Sequence, residues 1–211
     1  AIASPQLLLL SGIGPAAQIS ALGITPVLDL PGVGHNLQDH VGAYLNYRVD
    51  RPTYNSEQGL HRQMWHGLNW LLFGRGPGTT PGALAMAFVR SSPEIPNPDL
   101  QLHFTPVGYK LTPEALILMP EPAVTGIPNV NRPFSRGWLE LKSGDFRDPP
   151  KIQPRLLDDP RDVDVLIRGC EIIREIFSAP PLAAHVTDEA APGPRVTSRR
   201  DWEQYLRTDS I

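Results

Sequence analysis

The chain has 211 residues, 41% of them apolar and 19% charged, the balance of a globular protein long enough to bury a sizeable core. A formal net charge of −3 gives no reason to expect nucleic acid or an anionic membrane as partner, since both attract clustered Lys and Arg. With 24 prolines and 18 glycines, turns and short connections must be frequent and long helices few.

Ser4 and Pro5 predict a helix start, Ser4 as N-cap and Pro5 at the first helical position, with Leu7 to Leu10 following and Gly12 as a left-handed stop. A second short helix begins at Gly14-Pro15 and ends at Gly23, and Thr25 to Leu30 reads as a short strand. Pro31-Gly32-Val33-Gly34 is then a tight loop that lets the backbone approach something closely. Alternation from Val41 to Val49 favours a strand, and the apolar spacing of Leu60 to Phe73 favours a helix that Gly74 to Gly78 terminates. Strands are predicted at Ala85 to Val89, Leu100 to Phe104, Ala115 to Met119, Val124 to Val130 and Gly137 to Lys142, the last two flanking a turn at Pro133 to Arg136. Asp159-Pro160 opens the clearest helix, with Val163, Leu166, Ile167, Cys170, Ile173 and Phe177 three and four apart, and Pro180-Pro181 stops it. Ser198 to Asp201 resembles a capping box before a final helix carrying Trp202, Tyr205 and Leu206. The fold class is therefore α+β, an α+β body joined to the edge of another domain.

Few motifs carry chemistry by themselves. Gly12-Ile13-Gly14-Pro15-Ala16-Ala17 fits the G-x-G-x-x-G/A dinucleotide pattern, but it follows a helix where the fingerprint follows a strand, so a helix–helix turn is expected. His35/His40 and His61/His66 are each five apart, a poor spacing for a shared ligand, and no metal site is expected. No G-x-S-x-G nucleophile elbow occurs. Trp65 and Trp70 read as core residues before they read as an aromatic pocket. The single cysteine, Cys170, excludes an intrachain disulfide and reads as a buried structural thiol. No signal peptide or apolar run of about 20 residues occurs, and a cytoplasmic protein is expected. The opening Ala1-Ile2-Ala3, the lack of charge before Asp29 and the abrupt close at Asp209-Ser210-Ile211 suggest a piece of a longer chain.

Ala1 to Gly14 (AIASPQLLLLSGIG) resembles the second signature of the glucose–methanol–choline (GMC) oxidoreductases, a Gly-Ala-x-x-Ser-Pro-x-x-Leu stretch leading into Ser-Gly-Ile-Gly. Pro31 to His40 (PGVGHNLQDH) is similar to the family's PGVGxNLQDH block. Weaker echoes continue through Asp99 to Phe104, Pro133 to Gly137, Pro150 to Ile152, Leu157 to Pro160, and Glu189 with Pro192-Gly193, so the resemblance covers essentially the whole chain. Choline-dehydrogenase-like members look most similar.

The resemblance implies an incomplete two-domain GMC fold: residues 1–40 as the tail of an FAD-binding α/β domain, and 41–211 as most of a substrate domain built on an antiparallel sheet backed by helices. It implies oxidation of an alcohol CH–OH group with hydride transfer to FAD, and it places the catalytic histidine C-terminal to Ile211, so the chain alone is expected to be inactive. Cofactor-side contacts are expected from Ala1, Ile2 and Ala3 at a strand end, from Ser4, and from Asn36, Asp39 and His40. An alcohol and an unidentified electron acceptor are the implied partners; a homo-oligomer, a hydroxynitrile lyase on the same FAD scaffold, and a truncated remnant without function stay open.

Overall fold

The computed structural model describes residues 2–80, 82–112 and 115–209. In chain order these form α1 (Ala3–Leu10), β1 (Ile13–Gly14), α2 (Ala16–Ala21), β2 (Leu28–Asp29), β3 (His35–Leu37), β4 (Leu45–Val49), α3 (Leu60–Phe73), β5 (Ala85–Val89), β6 (Leu100–Thr105), β7 (Tyr109–Leu111) and β8 (Leu116–Leu118). Then follow β9 (Ala123–Val130), β10 (Gly137–Glu140), β11 (Lys151–Gln153), α4 (Pro160–Ser178), α5 (Pro180–Ala183), β12 (Val186–Ala191) and α6 (Arg199–Asp209). The class is mixed helix and sheet. Residues 1–40 and 133–162 cluster as one unit, and residues 41–132 and 163–211 as a second. His40/Val41 is thus a unit boundary, but Pro133–Asp162, expected with the residues after 41, cluster with the opening segment instead.

In the first unit, Leu9, Ile19, Leu139 and Leu141 form the core, with Leu10, Leu22, Ile24 and Val33 packed against it. β10 is the hub, paired antiparallel with β11 on one side and β3 on the other. The Pro31-Gly32-Val33-Gly34 loop does make a close approach, and its target is β10. Gly34 has φ +86°, its carbonyl accepts the Leu139 N–H at 2.6 Å, and a Cβ there would lie 2.2 Å from the Leu139 oxygen. The Pro133 to Arg136 turn is held from below by Asp162, which is fully buried. Its carboxylate accepts the N–H groups of Phe134 and Ser135 at 2.7 and 2.8 Å and bonds the Ser135 hydroxyl at 2.5 Å. A buried carboxylate survives only with such donors.

The second unit is organised by a five-stranded antiparallel sheet in the order β12-β4-β9-β6-β5. β9 carries Gly126 and Pro128 and the helix α4 carries Gly169, and each glycine leaves room for side chains of the other element. A Cβ on Gly126 would lie 2.6 Å from Ile173 Cγ2, and one on Gly169 would lie 2.7 Å from Pro128 Cβ. Val163, Leu166, Cys170, Ile173 and Phe177 recur at helical spacing along α4 and are all buried. At roughly 2 kcal/mol for each large buried apolar side chain, this stripe outweighs the ~1 kcal/mol that Gly169 costs in helix propensity. Tyr47 of β4 stacks on Phe177 with ring centroids 4.0 Å apart. The end of the assembly is tied by Arg174 on α4. Its guanidinium donates to both Glu189 carboxylate oxygens at 2.7 and 2.9 Å and to the Val196 carbonyl at 2.7 Å, and it lies 4.4 Å from the centre of the Trp202 ring. The capping box is present: Asp201 N–H donates to Ser198 Oγ and Ser198 N–H to Asp201 Oδ2, both at 3.2 Å.

Three expectations need correction. Ser4 is not an N-cap; α1 begins at Ala3 and Ile2 precedes it in helical conformation without a side-chain cap bond. Pro180-Pro181 ends α4 and also opens the four-residue α5. Trp65 and Trp70 are not core residues, being 62% and 55% exposed.

Replacing Gly126 by Leu forces a side chain into Ile173 and should lower stability by about 2 kcal/mol in urea denaturation. Adding Ile173→Ala should recover part of that loss, because the new side chain then has room. Additive losses in the double variant would show that the close approach is not what Gly126 provides.

Candidate functional site

Ala1 lies outside the described residues. Ile2 is 38% exposed, and Ala3 and Ser4 form the first turn of α1 rather than the end of a strand, which corrects that expectation. With no side chain capping this end, the first-turn N–H groups remain available as donors. Asn36 sits exposed in β3 at φ +60°, a left-handed conformation that Asn tolerates better than most residues. Asp39 accepts the His40 N–H at 2.9 Å, and His40 is exposed. Among the described residues no hydrogen bond or ion pair joins Ile2–Ser4 to Asn36–His40. Together these residues present an amide, a carboxylate and an imidazole that are all exposed. The glycines of the G-x-G-x-x-G-like stretch serve packing: a Cβ on Gly12 would lie 2.5 Å from the Thr25 carbonyl, and one on Gly14 would lie 2.4 Å from Leu9 Cδ2.

The five-stranded sheet divides its side chains between two faces. Directly opposed residues share a face, so the register assigns Leu100, Leu102 and Phe104 with Ala85, Ala87, Gly126 and Pro128 to the side covered by α4. The other side carries Met86, Phe88, Gln101, His103, Thr105, Thr125, Ile127 and Asn129. Half of it is roofed. Asn55 is 3% exposed and its amide bonds the Gly108 N–H, the Gly108 carbonyl and the Met119 carbonyl, each at 2.8 Å, fixing the segment that carries β7 and β8. That segment places the Val107 and Tyr109 carbonyls over the buried pair Thr125 and Asn46, at 2.8 Å from Thr125 Oγ1 and 3.1 Å from Asn46 Nδ2. Beside it is a cavity of about 210 Å³ lined by Tyr44, Asn46, Arg48, Tyr109 and Tyr205. Burial pushes the Tyr44 and Tyr109 hydroxyls up, so both stay protonated.

The other half of this face is open. Met86 and Phe88 of β5 are 61% and 57% exposed, and the strand register sets Met86 and Ile127 on either side of His103. Partial burial lowers the His103 pKa below its ordinary 6.5, which keeps the imidazole neutral near pH 7. A neutral imidazole among apolar side chains on an exposed sheet face can accept or donate one hydrogen bond to a small ligand. His103 was legible only as part of a family echo; the signal in the sequence was its outward position in the alternation of Leu100 to Phe104.

A larger cavity of about 480 Å³ lies elsewhere in this unit, walled by Val49, Phe104, Val124 and Phe177 with Glu57, His66 and His185 among its polar lining. Phe104 and Val124 point to the α4 side, so the sheet itself separates this cavity from His103. Arg62 and His66 beside Glu57 hold its carboxyl below the usual carboxylate range. Cys170 is fully buried and its thiol is pushed up by burial, which makes it unreactive. Among the described residues no group of three or more His, Cys, Asp or Glu is arranged to hold a metal ion, and no helix is long and apolar enough to cross a membrane.

Profiles of the GMC oxidoreductase family match residues 1–42 and 133–211. The human mitochondrial choline dehydrogenase is 38% identical over 208 residues, covering 98% of this chain and 35% of that protein. An alcohol dehydrogenase (acceptor) of Pseudomonas putida is 37% identical over 211 residues, covering 94% of this chain and 36% of that protein. In fold, the chain is similar to the pyridoxine 4-oxidase from Mesorbium loti, with a TM-score of 0.80 at 23% identity over 100% of this chain and 37% of that one. A formate oxidase of Aspergillus oryzae gives a TM-score of 0.85 at 20% identity over 100% of this chain and 41% of that one. The chain therefore belongs to the GMC oxidoreductase family, a family of FAD-dependent flavoproteins. It spans just over a third of the length of these curated relatives.

The pKa assignment makes a pH prediction. By proton NMR, the His103 ring should titrate below 6.5, the ordinary histidine value, while an exposed histidine titrates near it. Since the unfolded chain takes up this proton at higher pH than the folded one, His103 should favour the folded state above 6.5 and lose that contribution as pH falls through its folded titration. A ring titrating at or above 6.5 would refute the desolvated setting.

Proposed function

We propose that the full-length protein oxidises the CH–OH group of a small alcohol with transfer of hydride to FAD, and that this chain supplies the substrate-side wall and one edge of the FAD site. The observation that carries the reading is the open half of the sheet, where a neutral His103 stands between Met86 and Ile127. Family membership supplies the chemistry: when bound, the flavin accepts the hydride, and the protein provides position and electrostatics. The names of the human and Pseudomonas relatives, a choline dehydrogenase and an alcohol dehydrogenase, support an alcohol as donor.

On this reading His103 accepts a hydrogen bond from the alcohol hydroxyl and orients the carbinol carbon, and Met86, Phe88 and Ile127 keep water from it. Tyr44 and Tyr109, protonated at any physiological pH, offer hydroxyls to the roofed side of the same face. The second unit is then the substrate domain. The first unit is the FAD-domain edge, with Ala1, Ile2, Ala3, Ser4, Asn36, Asp39 and His40 as its cofactor-side residues. The catalytic histidine belongs to a segment beyond Ile211, and the 211-residue chain by itself should show no alcohol-dependent dye reduction. The single buried thiol suits a reducing compartment, which we take to be the cytoplasm. No observation favours the hydroxynitrile lyase alternative.

The test is His103→Ala in the full-length protein. A hydrogen bond between two neutral groups is worth about 0.5–1.5 kcal/mol, so kcat/KM for the alcohol should fall by about twofold to tenfold while the flavin content stays unchanged. An unchanged kcat/KM would remove His103 from the substrate wall.

A further inference from the structure

The carboxylates around the His103 face of the sheet are already bound. The strands β4, β5, β6, β9 and β12 contain Asp188 and Glu189 as their acidic residues. Register puts Glu189 opposite Tyr47 on the α4 side, where it holds Arg174, and Asp188 opposite Arg48 on the His103 side. Arg48 Nη1 donates to Asp188 Oδ2 at 2.7 Å, and Glu121 stands 3.9 Å from the same guanidinium. Asp99, just before β6, is 7% exposed, and its carboxylate accepts the Ser91 N–H and hydroxyl at 2.8 and 2.6 Å. The open half is therefore Met86, Phe88, Gln101, His103 and Ile127, with the imidazole held neutral near pH 7 by partial burial.

Such a wall discriminates by charge. A quaternary ammonium group has no N–H to donate, so carboxylates and aromatic faces are what recognise it, and plain apolar surface desolvates it without compensation. Phe88 is one aromatic face, and its attraction is smaller than the cost of taking a full charge out of water. Tyr44 and Tyr109 pack edge to face on each other, with centroids 5.3 Å apart, in the cavity that Arg48 and Lys110 also line. A cation placed there has a guanidinium and an ammonium for neighbours. An uncharged alkyl group behaves oppositely, since it gains hydrophobic contact at no electrostatic cost. Met86 and Phe88 present the surface for that contact, and the unbranched Met86 side chain adapts to the shape it meets.

We propose that the full-length protein selects uncharged, apolar alcohols over quaternary ammonium alcohols, and that Met86, Phe88 and Ile127 make the selection. The proposal rests on the reading of His103 as the group that receives the substrate hydroxyl. The alkyl group lies on this wall while the carbinol carbon gives a hydride to FAD. The hydroxyl gives its proton to the histidine assigned above to the segment beyond Ile211, which leaves a carbonyl product and reduced FAD.

The experiment compares kcat/KM of the full-length FAD-loaded enzyme, with a two-electron dye as acceptor, for choline and for its carbon isostere. The isostere carries a tert-butyl group in place of trimethylammonium, so the two alcohols share a shape and differ in charge. The neutral alcohol should be favoured by at least about tenfold. Met86→Glu, at an exposed position, should shrink that preference severalfold by placing a carboxylate beside His103, with flavin content and melting curve at the parent's values. Equal values for the two alcohols, or a preference for choline, with both lowered by His103→Ala, would overturn the proposal and leave the reading of His103 standing. An unchanged preference in Met86→Glu would overturn the assignment of selection to this wall. If His103→Ala alters neither alcohol, the reading of the face falls and the proposal with it.

Discussion

The closeness of α4 to the sheet is the constraint on which the rest of the second unit depends. Gly126 on the strand and Gly169 on the helix each leave room that the other element fills, so the helix axis can sit lower than side chains would otherwise allow. Once it is seated there, the α4 face of the sheet is used up. Tyr47 stacks on Phe177, and Arg174 reaches Glu189 and the Trp202 ring. The Arg174–Glu189 pair is only partly exposed, at 22% and 10% of the side chains, so removing one partner would strand the other charge. The pair thus specifies how β12 and α6 close the end of the unit more than it adds stability.

A sheet covered on one face has one face left for function. Along β6 the alternation sends Leu100, Leu102 and Phe104 to α4 and Gln101, His103 and Thr105 to the other side. The Asn55-anchored segment then roofs the β4 end of that side and leaves the β5 end open. The same two-sidedness explains why the 480 Å³ cavity of this unit is not part of the His103 surface: it lies on the α4 side.

Much of this was legible in the sequence. α3 and β5 have the predicted bounds, and α4 was announced by its three-and-four spacing and by Asp159-Pro160. Less regular elements were not. β12 (VTDEAA) was missed because Asp188 and Glu189 break an apolar alternation; each has a long-range partner, Arg48 and Arg174, that no local pattern reveals. The predicted strand from Val41 is regular only from Leu45, its earlier part being held by the Gly42–Asn129 bridge and the Ala43 bond to Pro128. Spacing also cannot tell which way an amphipathic helix faces, so Trp65 and Trp70 on α3 read as core while the structure leaves both exposed.

The candidate site was less legible than the fold. The two motifs that carry the family resemblance are here largely structural: Gly34 is shaped by the Leu139 backbone and Gly12 by the Thr25 carbonyl. What they mark is position in a longer architecture. His103, by contrast, stands out only once register places it beside Met86 and Ile127. The most direct measurement is an experimental structure of the full-length protein with FAD bound. The account predicts the flavin ring against the face that carries Met86, His103 and Ile127, with α4 on the far side of the sheet. A flavin seated instead on the α4 side, or away from this sheet, would contradict it.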